Sequence, residues 1–358
     1  MISILRNLDW KLNAAVFFLV AASLASLFGA SQALFYKQLL WTALGLGLMA
    51  IIIQFDWRPV ASHHLFIFGF YFLTLVLLAV VYFFAPAVRG ARSWLSFGGF
   101  QLQPSELVKV SLILLYSFFF SRKHAAIARI SNIVVPFIYL LIPAGLIALQ
   151  PDFGTVLVLI FVWLGFLLIS GIKWRHLFLI FLILALAGVF GWQYFLKNYQ
   201  KERILGLIFP GRDPLGVNYS VIQAKIAVGS AGFLGKGFRQ GTQTQLGFLT
   251  ESKTDFIFAA LIEEWGLVAG IFIVLLFFMI VFRITRIGLD APNNFSRFVC
   301  LGTLILWCGQ FALNVGSNLA LTPVVGVTFP FLSYGGSSLL TNFILLGIIQ
   351  SVFLRRSL

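Results

Sequence analysis

The sequence predicts an all-α fold, a polytopic membrane bundle of about ten transmembrane helices with both termini cytoplasmic and one large external loop. Three observations predict it. Of 358 residues, 60% are hydrophobic and only 10% are charged, whereas a water-soluble domain carries about 25% because its surface must be solvated. Apolar runs of span length recur along the whole chain, and the connections between them alternate between rich and poor in Lys and Arg. The composition excludes an extracellular disulfide scaffold, a nucleic-acid binder on a soluble fold and a disordered chain. The net charge of +14 is what a membrane protein places at span ends facing anionic lipid.

A span needs roughly 20 largely apolar residues and can manage with about 17. Such runs fall at 14–29, 38–55, 65–85, 105–121, 133–149, 153–170, 177–196, 255–282, 298–317 and 339–354. The fifth carries Pro136 and Pro143, which membrane helices tolerate better than soluble ones; without it the C-terminal half would flip. The N-terminal tail and alternate connections hold 13 basic residues, among them Arg6, Lys11, Arg58, Arg283 and Arg355. The other side, outside the connection 197–254, holds only Lys37, Arg89, Arg92 and Lys109. That asymmetry places both termini in the cytoplasm. The run 14–29 behind Arg6 and Lys11 also has signal-peptide character, but nine spans follow and the expectation is an uncleaved first span in a single integral membrane domain, 1–358.

The large extracytoplasmic loop, 197–254 between spans seven and eight, has room for structure outside the bilayer. Its run from Asn218 to Val228 could lie as a short helix on the lipid surface. Between 229 and 247 stand six glycines, implying irregular backbone that suits close approach by a ligand or simple looping. Cys300 and Cys308 lie eight apart in one apolar segment, about 12 Å along a helix, too far for a disulfide. The four histidines do not cluster as metal ligands.

With 11 acidic residues in the chain, the placement of each is informative. Glu106, Asp152, Asp255, Glu263 and Glu264 fall at or within the outer ends of spans, where ionisable groups are costly and usually mark a pathway or site. Interhelical pairing is the alternative. Glu106 and Lys109 can meet on one helix face. Asp152 and Asp255 stand where helix caps would, yet a cap does not explain Glu263 and Glu264 inside an apolar helix. That helix therefore turns its outer half toward water or a polar ligand. Arg89 and Arg92 suit an anionic group or are solvated loop charges, and Trp94 marks the interface or stacks on a sugar. Together the groups suggest chemistry or transport on an amphiphilic anion.

At these residues the chain resembles a known family. Thr254-Asp255-Phe256-Ile257-Phe258-Ala259-Ala260 with Glu263-Glu264-Trp265-Gly266, followed by Pro330-Phe331-Leu332-Ser333-Tyr334-Gly335-Gly336-Ser337-Ser338, look like the hallmark segments of the SEDS proteins, the shape, elongation, division and sporulation peptidoglycan polymerases. Pro104-Ser105-Glu106 with Lys109 and Pro151 through Thr155 also fit, so the resemblance covers nearly the whole chain. The run Gly241 to Leu246 is more similar to the elongation branch, RodA, than to the division branch, FtsW.

The resemblance implies a peptidoglycan glycosyltransferase in the bacterial cytoplasmic membrane, polymerising lipid II at the outer face with inversion and release of undecaprenyl pyrophosphate, for cell elongation and rod shape. It implies Asp255 as the catalytic carboxylate. Arg89, Arg92, Glu106, Lys109, Asp152, Lys253, Glu263, Glu264, Ser333, Tyr334, Gly335 and Gly336 are the expected substrate contacts. It further implies a divalent cation, Mg2+ or Mn2+, with Asp255 as a candidate ligand, and a class B penicillin-binding protein, the transpeptidase, as partner beside lipid II, nascent glycan and membrane lipid; no nucleic acid is expected. Two departures stand out. The family usually has Pro-Glu-x-His before the Thr-Asp pair, where this chain has Thr250-Glu251-Ser252-Lys253, and Gly326 to Phe329 replaces a common Leu-Pro step. The competing readings are a lipid II flippase or other lipid-linked transporter, a division-type polymerase and a non-catalytic scaffold.

Overall fold

The structure, a computed structural model, describes residues 7–86, 92–97, 100–123, 130–194, 198–209, 216 and 218–356. Helices α1 (Trp10–Ala30), α2 (Gln32–Gln54) and α3 (His64–Phe84) lead to a two-stranded antiparallel hairpin, β1 (Leu95–Phe97) and β2 (Phe100–Leu102), with Leu95 opposite Leu102. Then come α4 (Pro104–Lys123), α5 (Ser131–Leu149), α6 (Phe153–Ile169) and α7 (Trp174–Tyr194). The long connection contributes α8 (Asn198–Ile208), α9 (Tyr219–Ser230) and the single turn α10 (Thr242–Gln245). The bundle closes with α11 (Ile257–Leu289), α12 (Asn294–Asn318) and α13 (Gly336–Leu354).

Among the described residues nine helices are at least 18 residues long and apolar enough to cross a membrane, and α6 is an apolar helix of 17. The chain is a multi-pass membrane protein. Whether α6 crosses is settled by the two ends of the chain. The Asp9 amide donates to Gln350 Oε1 at 3.0 Å, and Gln350 Nε2 donates to the Asp9 carbonyl at 3.2 Å and to Asn13 Oδ1 at 2.8 Å. Both termini therefore lie at one end of the bundle, which requires an even number of crossings, and α6 makes the tenth. Pro136 and Pro143 sit inside α5 without ending it. The sequence expectation of ten spans holds.

Polar side chains fix the helix starts. Asp9 accepts the Leu12 amide at 2.9 Å and ion-pairs with Arg283 of α11, tying the first helix to the eleventh. Asn293 caps α12 through the Ser296 amide at 2.7 Å. Helix α4 is the buried axis of the bundle, whereas α7 buries only Leu177 and Ile180 and turns the rest of its surface outward. Cys300 and Cys308 are both free, as their spacing implies.

Two segments depart from a simple row of spans. Helix α11 breaks at Gly266, whose φ of 86° and ψ of 173° are non-helical. The loop 232–237 fills the break: the Lys236 and Gly237 amides donate to the Glu263 and Glu264 carbonyls at 2.9 and 3.0 Å, and the Leu267 and Val268 amides donate to the Gly232 and Phe233 carbonyls at 3.1 and 3.2 Å. A Cβ on Gly235 would stand 2.3 Å from the Glu264 carbonyl oxygen, and one on Gly266 2.1 Å from that of Phe233. Gly235 and Gly266 thus serve backbone-to-backbone approach within the protein, which is neither the ligand approach nor the simple looping that the number of glycines suggested. The uninterrupted eighth span expected from the sequence is corrected accordingly.

The second departure is the non-helical segment 320–335 between α12 and α13. Phe329 and Phe331 are fully buried, Phe329 among Phe258, Phe277 and Phe311, and Phe331 between Trp307 and Phe343. Phe331 holds a φ of 64°, a conformation costly for a bulky residue that persists because its packing overdetermines it. Helix α9, expected on the lipid surface, instead buries Ala224 and Ala227 against Phe256, Ala259 and Ala260 of α11 and its approach.

Candidate active site

A cavity of about 980 Å³ opens at the end of the bundle opposite the termini. Ala30, Leu34, Lys37, Leu40 and Trp41 of α1 and α2 form one wall, and Trp94 and Gln101 of the hairpin region a second. Opposite them run Thr244 to Thr254, and Tyr334, Gly335 and Gly336 close the floor.

Hydrogen bonds weld the segment 251–256 to the segment 327–335. The Tyr334 amide donates to the Lys253 carbonyl at 3.0 Å. Ser333 Oγ donates to the Thr254 carbonyl at 2.6 Å and accepts the Phe329 amide at 2.9 Å. From α12, Asn314 Nδ2 donates to the carbonyls of Asp255 at 3.1 Å and Val327 at 2.8 Å, and Asn318 Nδ2 donates to the Asp255 carbonyl at 2.7 Å. Asp255 itself is half-buried, next to Thr254 of the wall, with its Oδ2 3.9 Å from where a Cβ on Gly326 would lie. The Trp41 indole lies directly on Gly336, where a Cβ would meet ring atoms at 2.2 Å, so this position excludes any side chain.

The wall is cationic at two points. Lys37 and Lys253 have no side-chain hydrogen bond or ion pair among the described residues, and both line the cavity with Glu251 beside them. Burial pushes the Tyr334 phenol upward, so it stays a neutral hydroxyl. Two ammonium groups without side-chain partners among the described residues, two indoles and a phenol around one space are groups whose chemistry suits a sugar-bearing anion.

Of the expected contacts, Lys253, Tyr334, Gly335 and Gly336 line the cavity. Arg89 lies outside the described residues, as do 124–129 and 210–215. Arg92 is exposed and is not among the residues that line the cavity. The remaining acids and Lys109 are not among the cavity-lining residues and are bonded to other groups of the protein. Lys109 Nζ meets Glu106 Oε1 at 2.6 Å, both nearly inaccessible. Asp152 caps α6 through the Thr155 amide and hydroxyl and accepts Gln103 Nε2 at 3.0 Å, while the Gln103 amide donates to Ser337 Oγ. Ser333 is likewise consumed by backbone.

Glu263 and Glu264 are corrected most clearly. Glu263 is fully buried and takes Lys236 Nζ at 2.9 Å, the Gln243 and Thr244 amides at 2.8 and 3.0 Å and the Thr244 hydroxyl at 2.7 Å. Glu264 accepts Gln245 Nε2 at 2.8 Å. These acids hold the 236–245 loop and turn α10 toward the cavity instead of facing it themselves. Lys37, Trp41, Asn314 and Asn318 went unassigned in the sequence. The available signals were a lone cation at a span entrance and two asparagines four apart in an apolar helix, hence on one face.

A profile of the family FTSW_RODA_SPOVE, described as cell cycle protein, matches residues 6–357. Peptidoglycan glycosyltransferase MrdB of Escherichia coli K12 is 34% identical over 316 residues, covering 88% of this chain and 84% of that protein. A chain solved in work on the structural coordination of polymerization and crosslinking by a peptidoglycan synthase complex superposes with a TM-score of 0.83 at 33% identity, covering 98% of both chains. The crystal structure of Thermus thermophilus rod shape determining protein RodA gives a TM-score of 0.72 at 27% identity over 98% of each chain.

Proposed function

Because the chain belongs to the FtsW, RodA and SpoVE family, the SEDS proteins, we propose that it is a peptidoglycan glycosyltransferase that polymerises lipid II at the outer face of the cytoplasmic membrane. The observation that carries this reading is the cavity itself: a cationic, aromatic space at one end of a membrane bundle, walled by the residues that lead into Asp255. A lipid-linked glycan has a matching division of parts, with a hydrocarbon tail for the bilayer, a pyrophosphate for Lys37 and Lys253 and sugars for Trp41, Trp94 and Tyr334.

In the proposed reaction Asp255 accepts the proton of the acceptor sugar 4-hydroxyl as that oxygen attacks the anomeric carbon of the lipid-linked chain. The bond to undecaprenyl pyrophosphate breaks with inversion. The leaving group is already a weak base, so it needs charge neutralisation more than protonation, and Lys37 and Lys253, whose ammonium groups have no partner among the described residues, would supply it. Asn314 and Asn318 fix the Asp255 main chain, which limits where its carboxylate can reach.

The family also implies Mg2+ or Mn2+. Among the described residues no three His, Cys, Asp or Glu gather, so those residues form no all-protein cage. One or two carboxylates completed by substrate phosphate oxygens suit magnesium well, and Asp255 with nearby Glu251 fits that role. When bound, such an ion would add further neutralisation at the pyrophosphate.

The rod shape determining protein among the matched structures and the Gly241 to Leu246 run support a role in cell elongation over division. A peptidoglycan synthase complex that couples polymerization to crosslinking supports a class B penicillin-binding protein as partner. The 13 basic residues that the sequence places in the N-terminal tail and alternate connections support termini in the cytoplasm and the cavity on the outer side. The test is polymerisation of labelled lipid II by the purified chain, resolved by gel. Glycan product from the native chain and none from Asp255→Ala is the expected result. Movement of fluorescent lipid II between leaflets with no polymer would replace the enzyme reading with the flippase.

A further inference from the structure

The break in α11 stands at an unusual depth. From Leu267 to Phe282, before Arg283, the helix has no polar or charged residue, and at 1.5 Å per residue these 16 residues rise only about 24 Å. Measured on to Thr285, just before Arg286, the rise is still about 28 Å. The hydrocarbon core is about 30 Å thick, and any tilt shortens the helix's reach across it. The bilayer core therefore extends at least to Gly266, the level at which the loop 232–237 is bonded into the helix.

The loop is built for that depth. Non-helical backbone survives among lipid only where its polar groups find partners within the protein, and here four backbone hydrogen bonds to Glu263, Glu264, Leu267 and Val268 provide them. Its sequence, Gly232-Phe233-Leu234-Gly235-Lys236-Gly237-Phe238, has one charge, and Lys236 turns inward to Glu263 at 2.9 Å. Phe233 and Leu234 point outward, 78% and 83% exposed. At the edge Phe238 packs edge-on to Trp265 at 6.2 Å, and the Arg239 guanidinium lies 5.1 Å from the Phe28 ring centroid. Aromatic rings beside an arginine are the usual furniture of a membrane–water interface.

We propose that residues 232–238 form a re-entrant hook whose Phe233 and Leu234 side chains lie in the acyl-chain region of the leaflet nearest the cavity, with Arg239 at the headgroups. The occupant of this exposed apolar surface is bilayer lipid, because the surface is continuous with the lipid-facing span Leu267–Phe282. The hook has a consequence for the cavity. Glu263, which binds Lys236 of the hook, also holds the Gln243 and Thr244 amides, and Thr244 lines the cavity. The bilayer thereby sets the height of that wall. The inference concerns depth alone and stands independently of the glycosyltransferase reading.

The test uses the full chain with Cys300→Ala and Cys308→Ala, labelled with the fluorophore NBD at Leu234→Cys or, separately, Phe233→Cys. Gln240→Cys, exposed just beyond the hook, serves as reference. Each is reconstituted in phosphatidylethanolamine and phosphatidylglycerol vesicles after a circular dichroism melt has confirmed folding. The expected result is blue-shifted emission at 233 and 234, quenched several-fold more by brominated acyl chains than at 240 and shielded from iodide. Iodide quenching equal to that at 240 would overturn the hook. Shielding that arises only when a transpeptidase is added would also overturn it, making the surface a protein interface.

Discussion

Asn318 of α12 caps α11 from outside that helix. Its Oδ1 accepts the Ala259 amide at 2.9 Å while its Nδ2 donates to the Asp255 carbonyl at 2.7 Å. The amides of a helix's first turn have no partner within the helix, and a capping side chain usually serves the third of them. Phe256, at the cap position of α11, has no side chain that can do so. One amide group from a neighbouring span therefore both ends the helix and pins the residue on which the proposed chemistry turns.

Asn318→Ala is expected to lower stability by about 1–3 kcal/mol, since it leaves the buried Ala259 amide without a partner and the Asp255 carbonyl with Asn314 as its remaining side-chain donor. Polymerisation should fall further than the folded fraction does. Asn318→Asp keeps the acceptor for Ala259 but cannot donate to Asp255, so it separates the two functions. A melt in detergent beside a lipid II assay measures both, and full activity in a folded Asn318→Asp protein would show that the Asn314 bond alone suffices to hold the Asp255 carbonyl.

Lys37→Ala should reduce kcat/KM for lipid II about tenfold or more, the loss of one charge-assisted hydrogen bond of roughly 1.5–3 kcal/mol. Lys37 is exposed and lacks protein partners among the described residues, so the melting temperature should not change. Lys37→Arg should recover much of the activity. Steady-state kinetics on all three forms checks the assignment, and an unchanged kcat/KM in the alanine form removes Lys37 from the site.

The spans were legible because lipid imposes a length of apolar residues that few other structures need, and the ten runs read from the sequence reappear as helices. The motif residues Tyr334, Gly335 and Gly336 were legible through a resemblance. Glu263 was misread for a physical reason: a carboxylate in an apolar helix must find donors, and sequence alone does not say which. Its donors lie at Lys236, Gln243 and Thr244, brought near only when the loop closes on Gly266. For Glu106, Lys109 and Asp152 the local partners were legible, as an i,i+3 pair and a helix cap; what the sequence did not show is that these partners leave them out of the cavity lining. Lys37 was counted only as a topological charge, since its exposure to the cavity depends on the path of the segments 244–254 and 334–336.

Gly336→Ala should abolish polymerisation and lower the melting temperature. Its Cβ would fall 2.2 Å from the Trp41 ring, and the indole, itself part of the cavity wall, would have to move. Combining it with Trp41→Phe, which removes part of the obstructing ring, should restore folding. Thermal melts of the single and double variants test this, and a Gly336→Ala protein of native stability would mean that Trp41 has other room.

Glu263→Gln keeps the shape of the side chain and removes its charge. Lys236, 23% exposed, would lose its counter-ion, and the Gln243 and Thr244 amides would share a weaker acceptor. Breaking a buried pair on one side costs about 3–5 kcal/mol; with Lys236 able to reach water the loss should sit at or below the low end of that range. Because Glu263 binds the loop and not the bulk of the bundle, the damage should be local. Limited proteolysis should cut between 236 and 248 many times faster than in the native chain, while the ten helices stay folded by circular dichroism. Activity should fall with the loss of the Thr244 and Gln245 wall. A variant with native resistance to protease and no activity would instead return Glu263 to the substrate.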